Sequence, residues 1–273
     1  MPKPQRFCIY CGGAGLTKEH LYADWLREYI PRELDEHRTA STITFPHKSE
    51  TKVRHQTGDT HAKRLRRVCL KCNGGWMSDL QQVAKPHLVP MLEGRRTALS
   101  RNAQKIIAAW ATMTAMTAEF VDDEMVAVPQ IERDYLRETH LPPRSWRIWI
   151  GRYARSGMAK RYWHNVMALT DQKIERSALY LPHPSNTQTT TICFGENLVV
   201  YLMSSEVELA RSIIRRWSFP GNAAPAMSQI WPAKSKPAIW PGAGTLSATG
   251  LDYIANDFYR RVERSMYKAS SLA

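Results

Sequence analysis

The stretch Cys69-Leu-Lys-Cys72-Asn73-Gly-Gly-Trp76 decides the fold of the N-terminal part of the chain, together with the earlier pair Cys8-Ile-Tyr-Cys11. A C-x2-C turn presents two thiolates at the spacing that a tetrahedral metal ion requires, and two such turns complete a four-thiolate shell. Gly12 and Gly13 suit the tight turn in which backbone amides approach the sulfurs. The spacing therefore predicts a structural Zn2+ rather than two unrelated thiol pairs. Its ligands are Cys8, Cys11, Cys69 and Cys72.

The sequence around these cysteines favours a cytoplasmic protein. Residues 1–7 contain no apolar signal core, and the chain has no run of about 18 apolar residues that could cross a membrane. Disulfides are disfavoured in such a setting, which strengthens the metal interpretation of the paired cysteines. The fifth cysteine, Cys193, lies in the apolar stretch Thr191–Phe194, and we expect it to be a small buried hydrophobe.

The charge balance favours a polyanionic partner. The chain has 273 residues, with 38 Lys and Arg against 25 Asp and Glu, and its formal net charge is +13. Such an excess is typical of proteins that bind nucleic acid, although a basic soluble surface without that role is the alternative. No membrane partner is expected. The sequence leaves the oligomeric state open, with a homodimer among the options.

A second constellation lies between and beside the cysteine pairs. Glu19 and His20 follow Cys11 closely, in Leu16-Thr-Lys-Glu-His20, and Asn73 comes directly after Cys72. A carboxylate and an amide oxygen are hard ligands suited to Mg2+ or Mn2+. A neutral histidine beside such an ion can take a proton from water at cellular pH. The alternative for Asn73 is a purely structural role as the N-cap of a helix.

With these motifs the chain resembles the HNH endonuclease superfamily, in its four-cysteine branch, over about residues 7–80. The resemblance implies a ββα-metal fold, equivalent to a treble-clef finger, in a protein encoded by bacteria or phages. It leaves the biological setting open among phage packaging, mobile-element movement and host defence. It implies that Glu19 and Asn73 are ligands of a divalent cation and that His20 is the general base. The implied activity is hydrolysis of phosphodiester bonds in DNA with Mg2+ or Mn2+.

One position departs from the pattern of that family. Its middle residue is typically Asn, a few positions before the second cysteine pair, whereas the stretch 58–68 contains none. His61, Asp59 or Arg64 could take this place, and we carry His61 as the fourth catalytic candidate. The departure motivates an alternative function, a non-catalytic zinc module that binds nucleic acid or a protein partner.

A basic segment precedes the second cysteine pair. Lys63, Arg64, Arg66 and Arg67 partly alternate along a strand-like run, and their cations could hold phosphates on either side of a scissile bond. The alternative is a solvated edge strand whose charges prevent aggregation.

The remaining sequence predicts a second domain. We place the boundary at residue 95, with the zinc nuclease module at 1–95 and a mixed α+β accessory or target-recognition domain at 96–273. The apolar patterns of the second part predict helices at 102–120, 131–139, 205–217 and 250–268, and strands at 145–153, 162–169, 187–194 and 198–203. We expect a mainly antiparallel sheet. The segment 218–246 reads as an extended loop that docks Trp231 and Trp240 on the core.

Overall fold

The computed structural model describes residues 7–30, 36–45, 48–57, 64–154, 162–169, 185–221 and 223–270. Its strands are β1 (Leu16–His20), β2 (Glu36–Phe45), β3 (Lys48–Thr57), β4 (Arg64–Cys69), β5 (Thr97–Leu99), β6 (Arg147–Arg152), β7 (Tyr162–Met167), β8 (Thr187–Phe194), β9 (Leu198–Ser205), β10 (Met227–Trp231) and β11 (Ala238–Trp240). Its helices are α1 (Leu70–Cys72), α2 (Ser78–Leu92), α3 (Arg101–Ala118), α4 (Gln130–Thr139), α5 (Glu208–Arg215), α6 (Ala223–Ala226) and α7 (Ala248–Ser270). Within the described ranges, no helix has the length and apolarity to span a membrane.

The largest element is a seven-stranded sheet with the order β10-β6-β9-β8-β7-β2-β3. Neighbouring strands are antiparallel apart from β2 and β7, which run parallel. The predicted α+β class and the mainly antiparallel sheet are confirmed. The central strand β8 and its neighbour β9 are buried along their whole length, which fits their content of β-branched and aromatic residues.

Helices cover both faces of this sheet. Residues of alternating parity point to opposite faces, so that Ile192 and Phe194 pack in one apolar cluster with α3 and the cysteine region, whereas Cys193 packs in another with α7. Cys193 is fully buried, as predicted. The α7 face formed by Leu251, Ile254 and Phe258 is also buried, so this helix is held on the sheet by its apolar stripe.

The helix α3 connects the cysteine region to the sheet. Its first turn is capped by the Ser100 hydroxyl, which accepts a hydrogen bond from the backbone N–H of Ala103 at 3.2 Å. Trp110 and Met113, expected on its core face, are both 1% exposed. The helix is buried on nearly all sides because it lies between two apolar layers, which explains its high alanine content.

The segment 218–246 differs from the sequence expectation of an extended loop. It contains the short helix α6 and two strands, because β10 pairs with β6 and β11 pairs with β5. The expected docking of both tryptophans is confirmed. The Trp231 Nε1 donates to the carbonyl oxygen of Pro143 at 3.0 Å, and the Trp240 Nε1 donates to that of Gly151 at 3.0 Å.

The division into two domains at residue 95 remains a prediction, but two features cross that boundary. One continuous cluster of buried residues runs from the cysteine region through α2 and α3 to the sheet. The strands β2 and β3, which belong to the first part of the chain, extend the large sheet beside β7.

Candidate metal centre and adjoining pocket

The four paired cysteines converge. Their sulfur atoms all lie within 4.8 Å of one another, and the Cys11 and Cys69 sulfurs are 3.5 Å apart. A tetrahedral zinc ion with bonds of about 2.3 Å places its sulfur ligands about 3.8 Å apart, so the cluster has the dimensions of such a site. Cys11 is exposed, whereas the other three cysteines are buried. The cluster is therefore positioned to hold a metal ion, as a structural zinc site requires.

Glycines shape the first cysteine turn, as the sequence predicts. The backbone N–H of Gly12 donates to the carbonyl of Cys8 at 2.9 Å, and the N–H of Cys8 donates to the carbonyl of Gly13 at 2.9 Å. Gly12 has a φ of +66°, a conformation that side chains other than glycine rarely adopt. At Gly13 an added Cβ would lie 3.2 Å from the Cys11 sulfur.

The strands β1 and β4 bring the two cysteine pairs together. They pair antiparallel, with Leu16 opposite Cys69, and the N–H of Ile9 donates to the carbonyl of Arg67 at 2.9 Å. Cys69 ends β4 and precedes α1. Burial would raise the pKa of its thiol, but hydrogen bonds from the Cys72 backbone and the neighbouring thiols outweigh burial and lower the pKa to about 7.

The Glu19 carboxyl lies next to the Asn73 amide. A bulge separates Thr17 from Glu19 on β1, and the Asn73 Nδ2 donates to the Thr17 Oγ1 at 3.2 Å. Burial raises the pKa of Glu19 to about 7, and a hydrogen bond from Asn73 offsets only part of that rise. The helical segment already begins at Leu70, with Cys69 as its N-cap, so Asn73 does not cap it.

His20 and Glu19 line one narrow pocket between the end of β1 and the helices α2 and α3. The volume of this pocket is about 10 Å³, which is the space that a single water molecule needs. Asn73 does not line it, so Glu19 is the residue shared by the Asn73 contact and the pocket. The pocket is lined by the following residues with polar side-chain groups: Glu19, His20, Gln81, Thr114, Thr117 and Trp110.

Gln81 is a pocket residue that the sequence analysis missed. Its Oε1 accepts hydrogen bonds from the indole N–H groups of Trp25 and Trp110, each at 2.9 Å. Trp25 lies in the 3-10 helix Asp24–Glu28, Gln81 in α2 and Trp110 in α3. No local pattern marks this glutamine, because its partners are 56 and 29 residues away along the chain.

The basic residues of β4 differ in their surroundings. Arg64, opposite His20, and Arg66 are exposed. Arg67 is ion-paired with Asp123, and its guanidinium lies 5.2 Å above the Phe120 ring. The predicted phosphate contact of Arg67 remains a prediction, and this ion pair counts against it. The predicted site residues His61 and Lys63 lie outside the described residues.

Aromatic contacts connect the cysteine region to its surroundings. The buried Tyr10 hydroxyl donates to the carbonyl of Met113 on α3 at 2.9 Å. The Trp76 ring packs edge-on against Tyr10 at 5.0 Å and stacks with His140 at 5.8 Å. Trp76 therefore packs against both Tyr10 and His140, and Tyr10 joins the first cysteine turn to α3.

Comparison with known proteins finds no family model, no curated protein and no solved structure that matches this chain.

Proposed function

We propose that this protein is a metal-dependent endonuclease of the HNH type, in which residues 7–30 and 64–92 form a zinc-stabilised ββα module equivalent to a treble clef. One observation carries the proposal: Glu19 contacts Asn73 and shares a pocket with His20, beside the four-cysteine cluster. The order of the cysteine turn, β1, β4 and the helical segment from Leu70 also follows the order that the HNH resemblance implies.

In this proposal zinc has a structural role. Bound by Cys8, Cys11, Cys69 and Cys72, it ties the first turn to the end of β4 and the start of the helix. Four thiolates complete the shell and leave no open position for substrate. The chemistry therefore belongs to the neighbouring residues.

Glu19 and Asn73 are the residues that would hold an exchangeable Mg2+ or Mn2+. A partly desolvated carboxylate gains from a nearby cation, and the amide adds a second hard oxygen ligand. Asn73 presents its Nδ2 toward Thr17, so ligation requires the amide to turn its Oδ1 toward Glu19. When bound, the cation supplies stabilisation of the negative charge that grows on the phosphate.

His20 acts as the base in the proposed reaction. Its imidazole accepts a proton from water, and the water oxygen forms a bond to phosphorus. The bond from phosphorus to the leaving sugar oxygen breaks, and that oxygen takes a proton from solvent water. Arg64 and Arg66 are exposed cations on the neighbouring strand and would hold the flanking phosphates. The net charge of +13 supports a nucleic-acid substrate, and we propose DNA.

Cleavage assays test this function. Purified protein should nick or cut plasmid DNA with Mg2+ or Mn2+ and stop when both are chelated. Glu19→Gln should lose at least 10²-fold in rate, whereas the matched variant Glu28→Gln, which alters an exposed carboxylate, should keep the wild-type rate. If the wild type cuts neither DNA nor RNA with either cation, the proposal fails.

The second candidate is a non-catalytic zinc module that binds nucleic acid. The small volume of the pocket favours it, since about 10 Å³ is room for about one water molecule. This candidate predicts DNA binding without cleavage. It also predicts that Glu19→Gln and His20→Ala leave the affinity for DNA unchanged.

A further inference from the structure

The Gln81 side chain has a fixed orientation at the pocket. A carbonyl oxygen has two acceptor directions, and on Gln81 both are used by the indoles of Trp25 and Trp110. An indole N–H can only donate, so the oxygen end of the amide must face the two tryptophans. This arrangement sets the position of the nitrogen end as well.

The two tryptophans that hold Gln81 are themselves held in place. Trp110 is 1% exposed within α3, and its ring lies 6.5 Å from that of Trp25 in a tilted pair. Lys85, one turn further along α2, lies 5.6 Å from the Trp25 ring and covers it. The amide therefore has little freedom to rotate.

The Nε2 of Gln81 is left with two N–H donors. In the part of the chain that the structure describes, it donates to no other group, although Gln81 lines the same pocket as Glu19 and His20. The pocket hydroxyls are already engaged. Thr114 donates to the carbonyl of Trp110 at 3.0 Å, and Thr117 donates to that of Met113 at 3.0 Å and also lies 3.1 Å from the Tyr10 hydroxyl. Neither threonine therefore offers its hydroxyl proton to the pocket.

We propose that Gln81 positions the attacking water for His20, an inference that rests on the proposed nuclease function. The pocket has the volume of one water molecule and offers the amide of Gln81 as a donor and His20 as an acceptor. The water accepts a hydrogen bond from Gln81 Nε2 and donates one of its protons to the His20 ring. Its second lone pair remains free for phosphorus.

The chemical step balances with these groups. The water oxygen forms the new bond to phosphorus, and His20 receives one proton of the water. The bond to the leaving sugar oxygen breaks, and that oxygen keeps the bonding electron pair and takes a proton from solvent water. The amide donates a hydrogen bond throughout and is unchanged at the end. Orienting a nucleophilic water by a glutamine amide is a known use of this side chain in phosphoryl transfer.

Two substitutions of Gln81 separate this role from a structural one. Gln81→Glu keeps an acceptor oxygen for both indoles but removes the N–H donors, whereas Gln81→Met removes both functions at a similar volume. The controls are Trp25→Phe, which removes one indole donor and leaves Nε2 in place, and the zinc content of every variant.

The test compares kcat, KM for a plasmid substrate and Tm. We expect Gln81→Glu to lower kcat about 10²-fold with KM near wild type and with a larger loss of rate than its Tm accounts for, and Gln81→Met to lower both kcat and Tm. If Gln81→Glu cleaves at the wild-type kcat, or if the rates of all three variants follow only their Tm values, the water-positioning role is wrong. Absence of cleavage by the wild type is a different result, because it refutes the proposed function itself.

Discussion

The cysteine region and the seven-stranded sheet are ordered by different physical means. In the first, four sulfurs within 4.8 Å define the local structure and small glycine turns surround them. In the sheet, strands such as β8 and β9 are buried over their full length. Among the described residues of the sheet, no group of side chains is placed to hold a metal ion. The difference leads us to expect that the first part depends on a bound metal ion, whereas the second depends on apolar burial.

Removal of the zinc ligands is the sharpest way to test this difference. We expect Cys69→Ser to lose the bound zinc and to destabilise the cysteine region by more than about 5 kcal/mol, because structural zinc binding contributes directly to folding. The measurements are zinc per chain and thermal unfolding. Cys193→Ala is the matched control, since it removes a buried thiol of β8. It should cost about 1–2 kcal/mol and retain zinc, and a loss of zinc in the control would contradict the comparison.

A buried ion pair between the end of α3 and α4 tests a polar contact that involves no cysteine. Glu119 and Arg133 are ion-paired, with side chains only 1% and 3% exposed. We expect Arg133→Met to destabilise the protein by about 3–5 kcal/mol, because it leaves a buried carboxylate without its cation. Urea unfolding measures the effect, and zinc content should not change. Arg137→Met, which removes a cation that is 33% exposed, should cost less than about 1 kcal/mol.

The pH dependence of stability tests the burial of Glu19. The folded state raises its pKa from 4.5 to about 7, so between these values the folded protein holds the proton more tightly than the unfolded chain. Its contribution to stability is therefore present below pH 4.5 and is lost as the pH rises to about 7. Without added Mg2+ or Mn2+, Glu19→Gln should be more stable than wild type at pH 8 by about 1–2 kcal/mol, since the half-buried side chain is partly screened.

Chemical denaturation at pH 4.5 and pH 8 measures this difference. The control Glu28→Gln, at an exposed carboxylate, should change the free energy of unfolding by the same amount at both pH values. If Glu19→Gln is no more stable than wild type at pH 8, the Glu19 carboxylate is solvated rather than buried.

The smallest expected effect concerns the link between the two regions. Tyr10→Phe removes the hydroxyl that donates to the Met113 carbonyl on α3. A buried hydrogen bond of this kind is worth about 1 kcal/mol, and we expect that loss in urea unfolding with zinc retained. A larger loss accompanied by release of zinc would mean that the cysteine region depends on α3 for its structure.

The sequence could predict features that arise from short-range patterns. The spacing of the cysteines predicted the four-cysteine cluster, and apolar patterns predicted α3, β8 and α7. The strands β10 and β11 were missed because prolines and glycines interrupt the segment and its order comes from pairing with β6 and β5. Side-chain hydrogen bonds within the core, such as the one from Trp110 to Gln81, join residues of separate helices. Only the tertiary structure brings such residues together.

The candidate site shows the same division. Glu19, His20 and Asn73 were identified from their positions beside the cysteine pairs, and the structure places Glu19 in contact with Asn73 and in one pocket with His20. Gln81 could not be predicted, because its role depends on two indoles that fix its orientation. The ion pair of Arg67 with Asp123 could not be predicted either, because Asp123 follows Arg67 by 56 residues along the chain.

The single-turnover rate of plasmid cleavage with Mn2+ tests the central claim most directly. It should be compared among wild type, His20→Ala and His87→Ala, at equal zinc content, because His87 lies on α2 outside the pocket. We predict that His20→Ala lowers the rate by about 10³-fold or more, whereas His87→Ala cleaves like wild type. Equal rates for His20→Ala and wild type would contradict the assignment of His20 as the base.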